Sequence, residues 1–459
     1  MATVDNIYVD GDAVINGNGR STSTPYNNIK NVHYASLDLH VGGGTTVHIA
    51  GDNYIGNGGN GLTMKTLVAG AFSNNHVWQQ WVDMPTARVM GGILCTNNSD
   101  YQWNASASNV EYYLSDIGNP SALTGFANTP DSGTLDGYYR SDSVSPNNKA
   151  LEQIAYDVAD GAAPVIGSMP DDCFGWGDND TLGFDTVYIK TKGIKVPSDY
   201  ELIMSDQITA WDCNTDYHEI NDIQILFGIT SALRSSKICE VNRCVIGNAE
   251  FRAVEGKDAG CDLTINNCIL TQGHRAYETT GTATPSVKIY NSVMHNNHLG
   301  VRNDDSLALI DVKNCLSIGG ESGFAEMVVS TAGFTESHNY MYPRLNDTTQ
   351  KIGYINAANW AATADSSIPS NYDTDAVIAD TSITLLDPKI VRLDLHDFNK
   401  CDFSLMSGSP LIGAGVPISG LTTDYVGETY HAVSPNIGIH AGSSGSTGSN
   451  GKFVEDLVT

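Results

Sequence analysis

The sequence has few basic residues. Its 459 residues include 24 Lys and Arg against 52 Asp and Glu, a formal net charge of −28. Nucleic-acid-binding surfaces need clustered Lys and Arg, so we expect no nucleic-acid partner. An acidic surface also repels polyanions, so an anionic glycan would require a local basic patch or a bridging cation. The ordinary role of such a charge is to keep a protein soluble.

The chain also lacks paired cysteines, a leader sequence and long apolar runs. Its nine cysteines are odd in number and form no CxxC pair, which indicates neither a disulfide framework nor a zinc site. Residues 1–5 show no basic region followed by an apolar run, and no segment reaches the roughly 18 apolar residues of a membrane span. We therefore expect reduced cysteines, synthesis in a cytoplasm without a recognisable signal peptide, and no membrane insertion.

Between residues 237 and 316 the sequence contains an internal repeat. The four copies superimpose on one pattern, and they are 238–244, 263–268, 287–292 and 310–315. Taking Cys244, Cys268, Ser292 and Cys315 as one column, which we call the Cys244 column, gives spacings of 24, 24 and 23 residues. We predict that this column continues backward to Ile223 and forward to Tyr340.

Each repeat alternates apolar and polar residues, and from the second copy onward an asparagine follows. The asparagines are Asn267, Asn291, Asn314 and Asn339. Alternation predicts a strand with one buried face, and Asn tolerates the left-handed conformation of a tight bend. Stacked copies are expected to hydrogen-bond along the axis as an amide ladder. The sequence therefore predicts an all-β solenoid in which equivalent residues of successive coils are vertical neighbours.

The coil length resembles that of the right-handed parallel β-helices of pectate-lyase-like enzymes and phage tailspikes. Residues 7–51 resemble the opening coil of such proteins, and residues 402–439 resemble their closing segment. Residues 103–197 are aromatic-rich and do not repeat, and they resemble a module of β-helix proteins of phage and marine microbial origin. The predicted architecture is a right-handed parallel β-helix with a β-rich inserted module near the N-terminal end.

Four regions are predicted from these patterns. Residues 1–102 form the N-terminal cap and first coils, and 103–197 form the aromatic-rich inserted module. Residues 198–440 contain the β-helix coils and the closing segment. Residues 441–459 form a Gly/Ser linker followed by a short terminal peptide.

Ten or eleven residues after each member of the Cys244 column lies a charged ladder, Glu255, Glu278, Arg302 and Glu326. Parallel stacking places such residues about 4.8 Å apart. Glu255 and Glu278 are candidates to share a proton or a cation, and Arg302 is a candidate to neutralise Glu278 and Glu326. A glycan-cleaving site uses such paired carboxylates, whereas the favoured structural interpretation is a salt-bridge ladder. The preceding residues are predicted to point inward, and they are Val254, Tyr277, Val301 and Ala325.

Six residues after the Cys244 column lies a second ladder, Glu250, His274, His298 and Glu321. Two imidazoles between two carboxylates are suited to a divalent metal or to acid and base catalysis near neutral pH. The favoured alternative is a set of turn residues with no shared role. Asp304 and Asp305 lie on the same coils, which makes residues 270–305 the leading candidate region.

The candidate residues divide by role. The catalytic candidates are Arg302, Glu278, His298 and His274, and the ligand-binding candidates are Glu255, Arg275, Glu326, Asp304, Asp305, Trp81 and Trp103. Trp81 and Trp103 are included because sugar rings stack on exposed aromatic faces, although most such rings are core residues. No cofactor is expected, although the lyase resemblance makes Ca²⁺ a candidate. No lyase signature matches position by position, and no metal ligand set is assigned.

Three functions follow, and they stay open at this point. The leading hypothesis is a virion-associated β-helix protein, a phage tail or fibre component that recognises cell-surface glycan in a virion or extracellular setting. Its expected partners are that polysaccharide and other virion proteins, and the tailspike resemblance implies a homo-oligomer, by analogy a trimer. The rival is a polysaccharide lyase or glycoside hydrolase acting on an extended glycan. The third is a purely architectural virion or filament subunit.

Overall fold

The computed structural model of the 459-residue chain describes part of the sequence. The described residues are 6–34, 43–50, 53–54, 64–65, 69–71, 75–82, 84, 86–94, 104–105, 112–114, 140–143, 149–150, 152–153, 173–177, 186–190, 200–205, 208–228, 230–249, 251–280, 284–297, 299–303, 307–318, 325–327, 333–342, 387–393 and 401–441.

Three long parallel sheets define the fold as a right-handed parallel β-helix. Strands are numbered in chain order. In stacking order, sheet 1 contains β1 Asn6–Asp10, β2 Thr46–Ala50, β5 His76–Gln80, β17 His218–Asn221, β20 Ile238–Asn242, β23 Asp262–Asn266, β26 Ser286–Tyr290, β29 Leu309–Lys313 and β32 Phe334–Ser337. Sheet 2 contains β3 Asn53–Tyr54, β6 Arg88–Met90, β18 Gln224–Leu226, β21 Val245–Gly247, β24 Ile269–Thr271, β27 Val293–His295, β30 Leu316–Ile318 and β33 Tyr340–Tyr342. Sheet 3 contains β4 Met64–Lys65, β16 Thr209–Cys213, β19 Ser231–Ser235, β22 Arg252–Lys257, β25 Arg275–Thr280, β28 Leu299–Asn303 and β31 Ala325–Met327.

A β-rich module is inserted between the early and middle coils. One of its sheets contains β11 Lys149–Ala150, β10 Arg140–Ser143, β15 Tyr200–Ser205 and β7 Gly92–Leu94. The other contains β12 Glu152–Gln153, β13 Cys173–Gly177, β14 Thr186–Lys190, β9 Tyr112–Leu114 and β8 Asn104–Ala105. The coils stay in register across this insertion, because β17 pairs with β5, β18 with β6 and β16 with β4. The bounds of the four predicted regions stay a prediction.

The predicted column of vertical neighbours is confirmed over the central coils. Val245 pairs with Ile269, and Ile269 with Val293, so Cys244, Cys268 and Ser292 stack as the spacing predicts. The forward extension is wrong by one residue. Tyr340 pairs with Leu316, so Asn339 is the residue that stacks on Cys315. Its Oδ1 accepts the Cys315 amide at 2.9 Å.

The bend that precedes this column is left-handed in every central coil. Its residues are Asp222, Arg243, Asn267, Asn291, Asn314 and His338, with φ between 47° and 61°. The sequence predicts Asn339 at this bend in the last coil, but the one-residue shift places His338 there. The expected amide ladder is present at one step, where Asn314 Nδ2 donates to Asn291 Oδ1 at 3.0 Å, whereas Asn267 Nδ2 donates to the carbonyl of Thr423 at 2.8 Å. A second ladder at the ends of the sheet 1 strands joins Asn242 to Asn221, also at 3.0 Å.

The interior is built from stacks of like residues. Val241, Ile265, Ile289 and Val312 pair in register and are fully buried. Burying such a side chain contributes about 1.5–3 kcal/mol. Seven cysteines are buried thiols, and they are Cys213, Cys239, Cys244, Cys261, Cys268, Cys315 and Cys401. They fill the core as small apolar groups.

The C-terminal segment lies along the outer face of sheet 2. It includes the antiparallel pair β34 Ile390–Arg392 and β35 Asp402–Leu405. Its buried side chains form a second apolar core with Val245, Ile269, Val293 and Leu316. Two hydrogen bonds join Asn314 to Val416, at 2.7 and 2.8 Å. Sheet 2 is therefore covered on both faces.

The helical content of the described residues is small. The helix α1 spans Ile29–Tyr34. In the described ranges no helix has the length and apolar character needed to cross a bilayer.

Candidate functional site

The predicted charged ladder lies in register on sheet 3. Glu255 pairs with Glu278, Glu278 with Arg302, and Arg302 with Glu326. The backbone register extends the ladder through Arg234 and Asp212 in the preceding coils. Lys65 on β4 pairs with Asp212, so sheet 3 carries seven charged residues in one line, one from each of seven successive strands.

The carboxylate of Glu278 is the centre of an arginine cluster. Arg252 Nε contacts Glu278 Oε2, Arg275 Nη1 lies 3.1 Å from the same oxygen, and Arg302 Nε lies 3.3 Å from Oε1. The Glu278 side chain is 2% exposed, whereas the three arginine side chains are 13%, 13% and 21% exposed. The guanidinium groups therefore cover the carboxylate and lie nearer to solvent than it does.

Glu255 belongs to the same cluster. Arg252 Nη1 lies 3.2 Å from Glu255 Oε1, which also accepts the Thr280 hydroxyl at 2.5 Å. Ser231 Oγ donates to Glu255 Oε2 at 3.3 Å. We refer to Arg252, Glu255, Arg275, Glu278 and Arg302 as the arginine cluster. The expected neutralisation of Glu278 by Arg302 is observed, and Arg252 and Arg275 add to it.

Apolar residues beneath the ladder hold its backbone in place. Val254, Tyr277 and Val301 are fully buried, as alternation predicts. Burial raises the pKa of Tyr277 well above its usual range. Tyr277 lies against Gly256, where an added Cβ would come 2.2 Å from the tyrosine Oη. Close backbone approach thus requires glycine at this position, directly after Glu255.

Several predicted site residues lie outside the described residues. They are His298, Asp304, Asp305, Trp103, Glu250 and Glu321. His274 is half-buried, and its carbonyl accepts the amide of Leu299 at 2.9 Å. Within the described ranges, no three His, Cys, Asp or Glu side chains are grouped to hold a metal ion.

Trp81 belongs to an aromatic group on sheet 1 that the sequence did not indicate. The rings of Tyr8 and His48 stack with centroids 4.9 Å apart, and the Trp81 ring is 5.2 Å from Tyr8. All three side chains are half-buried. Tyr8 and His48 are 40 residues apart in sequence, so only the pairing of β1 with β2 brings them together.

The fold defines the class of protein. The chain is a right-handed parallel β-helix protein, and at the level of the fold it resembles the pectate-lyase-like proteins. No family model and no curated protein matches the sequence.

The chain is similar at low identity to three solved structures. XylC in complex with xylose is 10% identical, with a TM-score of 0.48 over 76% of this chain and 68% of that chain. Pectate lyase Pel9A is 11% identical, with a TM-score of 0.37 over 96% of both chains. The tailspike of Acinetobacter baumannii bacteriophage AP22, in complex with a capsular saccharide, is 10% identical, with a TM-score of 0.17 over 71% of this chain and 55% of that chain. The chemistry of this site therefore has to be argued from its own residues.

Proposed function

We propose that this β-helix protein binds an acidic cell-surface glycan on the outer face of sheet 3, and that it does so as a tail or fibre component of a virion. The observation that carries the proposal is the arginine cluster. In a chain with net charge −28, Arg252, Arg275 and Arg302 converge on one buried carboxylate. With Glu255 the cluster holds three positive and two negative charges, and this local positive excess is what an anionic ligand requires on an acidic protein.

Glu278 fixes the directions of the guanidinium groups. Arg252 and Arg275 each donate an N–H group to this carboxylate, and Arg302 forms an ion pair with it at 3.3 Å. Each guanidinium is a planar fork of five donors in all. Such forks suit the carboxylates of sugar acids, because two parallel N–H groups match the two oxygens. Holding the forks in place before binding lowers the entropy lost when the ligand is ordered. Arg302, the most exposed of the three, is the expected first contact.

The other two sheets are less suited to an anion. The C-terminal segment covers sheet 2. On the outer face of sheet 1 the lysines are paired with carboxylates, Lys288 with Asp262 and Lys313 with Asp311. Glu219 and Glu240 add negative charge to the same face. Nine strands stacked about 4.8 Å apart also make a stiff rod of roughly 38 Å, as a fibre needs.

The binding test compares two variants that each remove one positive charge from the same coil. Arg302→Gln should weaken binding to acidic polysaccharides by about 10- to 100-fold, because charge-assisted hydrogen bonds are lost. Lys288→Gln, on sheet 1 and 42% exposed, should change affinity less than twofold. Titration calorimetry with polygalacturonate, alginate and a bacterial capsular polysaccharide gives the affinities. Equal effects of the two substitutions, or no binding to any acidic polymer, would contradict the proposal.

The rival function is cleavage of the same glycan. It is favoured by the pairing of Glu255 with Glu278 next to Arg302, since paired carboxylates are the groups that cleave glycosidic bonds. One assay distinguishes binding from cleavage: the release of reducing ends and the absorbance of unsaturated uronates are measured on the same polymers. Turnover that disappears in Arg302→Gln would replace the binding function with an enzymatic one. Immunogold labelling of phage particles tests the virion role.

A further inference from the structure

The outer face of the first three coils carries a small aromatic platform. It consists of Tyr8 on β1, His48 on β2 and Trp81, which directly follows β5. Tyr8 and His48 are stacked with an interplanar angle of 13°, and Trp81 is tilted by 53° against Tyr8. The platform lies on sheet 1, whereas the arginine cluster lies on sheet 3.

The turn that carries Trp81 is held in a fixed shape. Gln80 Nε2 donates to the carbonyls of Trp81 and Met84, at 3.2 and 3.0 Å. Gln80 Oε1 accepts the amide of Ala87 at 2.7 Å. The Trp81 amide donates to Ile49 across the sheet at 2.8 Å. The indole is therefore positioned by its backbone and needs little ordering when a ligand arrives.

The platform is edged by amide groups. Gln79 Nε2 lies 3.4 Å from His48 Nδ1, and Asn6 Oδ1 lies 3.0 Å from His48 Nε2. Burial lowers the pKa of His48, so the imidazole stays neutral at neutral pH. The nearest outward carboxylate on β1 is Asp10, which disfavours anions.

From this geometry we infer a second carbohydrate subsite, in which the rings of Tyr8 and Trp81 stack on an uncharged sugar and the amides of Gln79 and Asn6 bond its hydroxyls. Half-buried rings with polar edges suit a ligand that is apolar on its ring face and polar at its rim. A sugar has this character, whereas an apolar peptide helix would remove water from the amide groups without bonding them. The subsite does not depend on the function proposed for sheet 3.

The experiment is a titration of the full chain with four soluble neutral polysaccharides, a β-glucan, a xylan, a mannan and a galactan. Binding is followed by affinity electrophoresis. We expect at least one polymer to bind, and we expect Trp81→Ala and Tyr8→Ala each to weaken that binding roughly tenfold, since each removes a stacking ring. Trp81→Phe, which keeps a ring, should retain most of the affinity. Circular dichroism and the thermal midpoint show whether each variant is folded.

Lys288→Gln is the matched control, on the same sheet but four strands away from β5. It should leave neutral-polymer binding within twofold of the unsubstituted protein. The inference is overturned if none of the four polymers binds, if binding survives both ring substitutions in folded protein, or if Lys288→Gln abolishes it equally. Acidic polymers are titrated separately, so failure of the sheet 3 proposal is seen independently of failure here.

Discussion

Replacing the buried carboxylate Glu278 by glutamine should be strongly destabilising. Glu278→Gln keeps the size of the side chain but removes the negative charge that three guanidinium groups share. With exposures of 2% for Glu278 and 13–21% for the arginines, water screens the remaining positive charges poorly. Breaking a buried ion pair costs about 3–5 kcal/mol. We expect a loss of that size in the free energy of unfolding.

Urea unfolding followed by circular dichroism measures this loss, and Asp262→Asn is the control. Asp262 pairs with Lys288 at 3.5 Å with both side chains more than 40% exposed, so its substitution should cost less than about 1 kcal/mol. High salt should weaken the exposed pair and leave the buried cluster nearly unchanged. A loss below about 1 kcal/mol for Glu278→Gln would refute the argument that the cluster is desolvated.

Three further predictions follow from the coils. Asn296 has a left-handed backbone with φ 48°. In urea unfolding, Asn296→Gly should leave the free energy of unfolding nearly unchanged, whereas Asn296→Val should lower it by about 1–2 kcal/mol. Equal losses for the two variants would contradict the left-handed bend. Burial raises the pKa of Cys315 from 9.0 to about 12, so the unfolded chain loses this proton first and stability should fall as pH rises from 9 towards 12. The fall in stability with pH should be shallower in Cys315→Ala, and an unchanged pH dependence would contradict the assignment to the buried thiol. Phe403 is 4% exposed and packs on His295. The substitution Phe403→Ala should lower the free energy of unfolding by about 3–5 kcal/mol and allow a hydrophobic dye to bind sheet 2. If no dye binds, the outer face of sheet 2 is not covered as described.

The sequence was most informative where coils repeat at nearly constant length. The period of 24, 24 and 23 residues predicted the column through Cys244 and the ladder from Glu255 to Glu326, because stacking converts sequence spacing into contact. The prediction was wrong at Tyr340, where the strand pairing places Asn339 in the column. Asp212 and Arg234 were missed because they precede the recognised copies.

Two features depend on contacts that the repeat spacing does not predict. The arginines Arg252 and Arg275 lie near the ladder in sequence, but their convergence on Glu278 depends on side-chain direction and burial. The C-terminal segment on sheet 2 was expected only as a closing segment. A signal for it was present, because Val245-Ile246 and Ile269-Leu270 are apolar on both faces of short strands, as in sheets covered on both sides.

The most direct test of the central claim is a crystal structure of the protein soaked with an acidic oligosaccharide. The account predicts sugar density over sheet 3, with a sugar carboxylate within hydrogen-bonding distance of the Arg302 guanidinium and Glu278 still enclosed beneath it. Density for the acidic sugar only on another face, with Arg302 untouched, would contradict it.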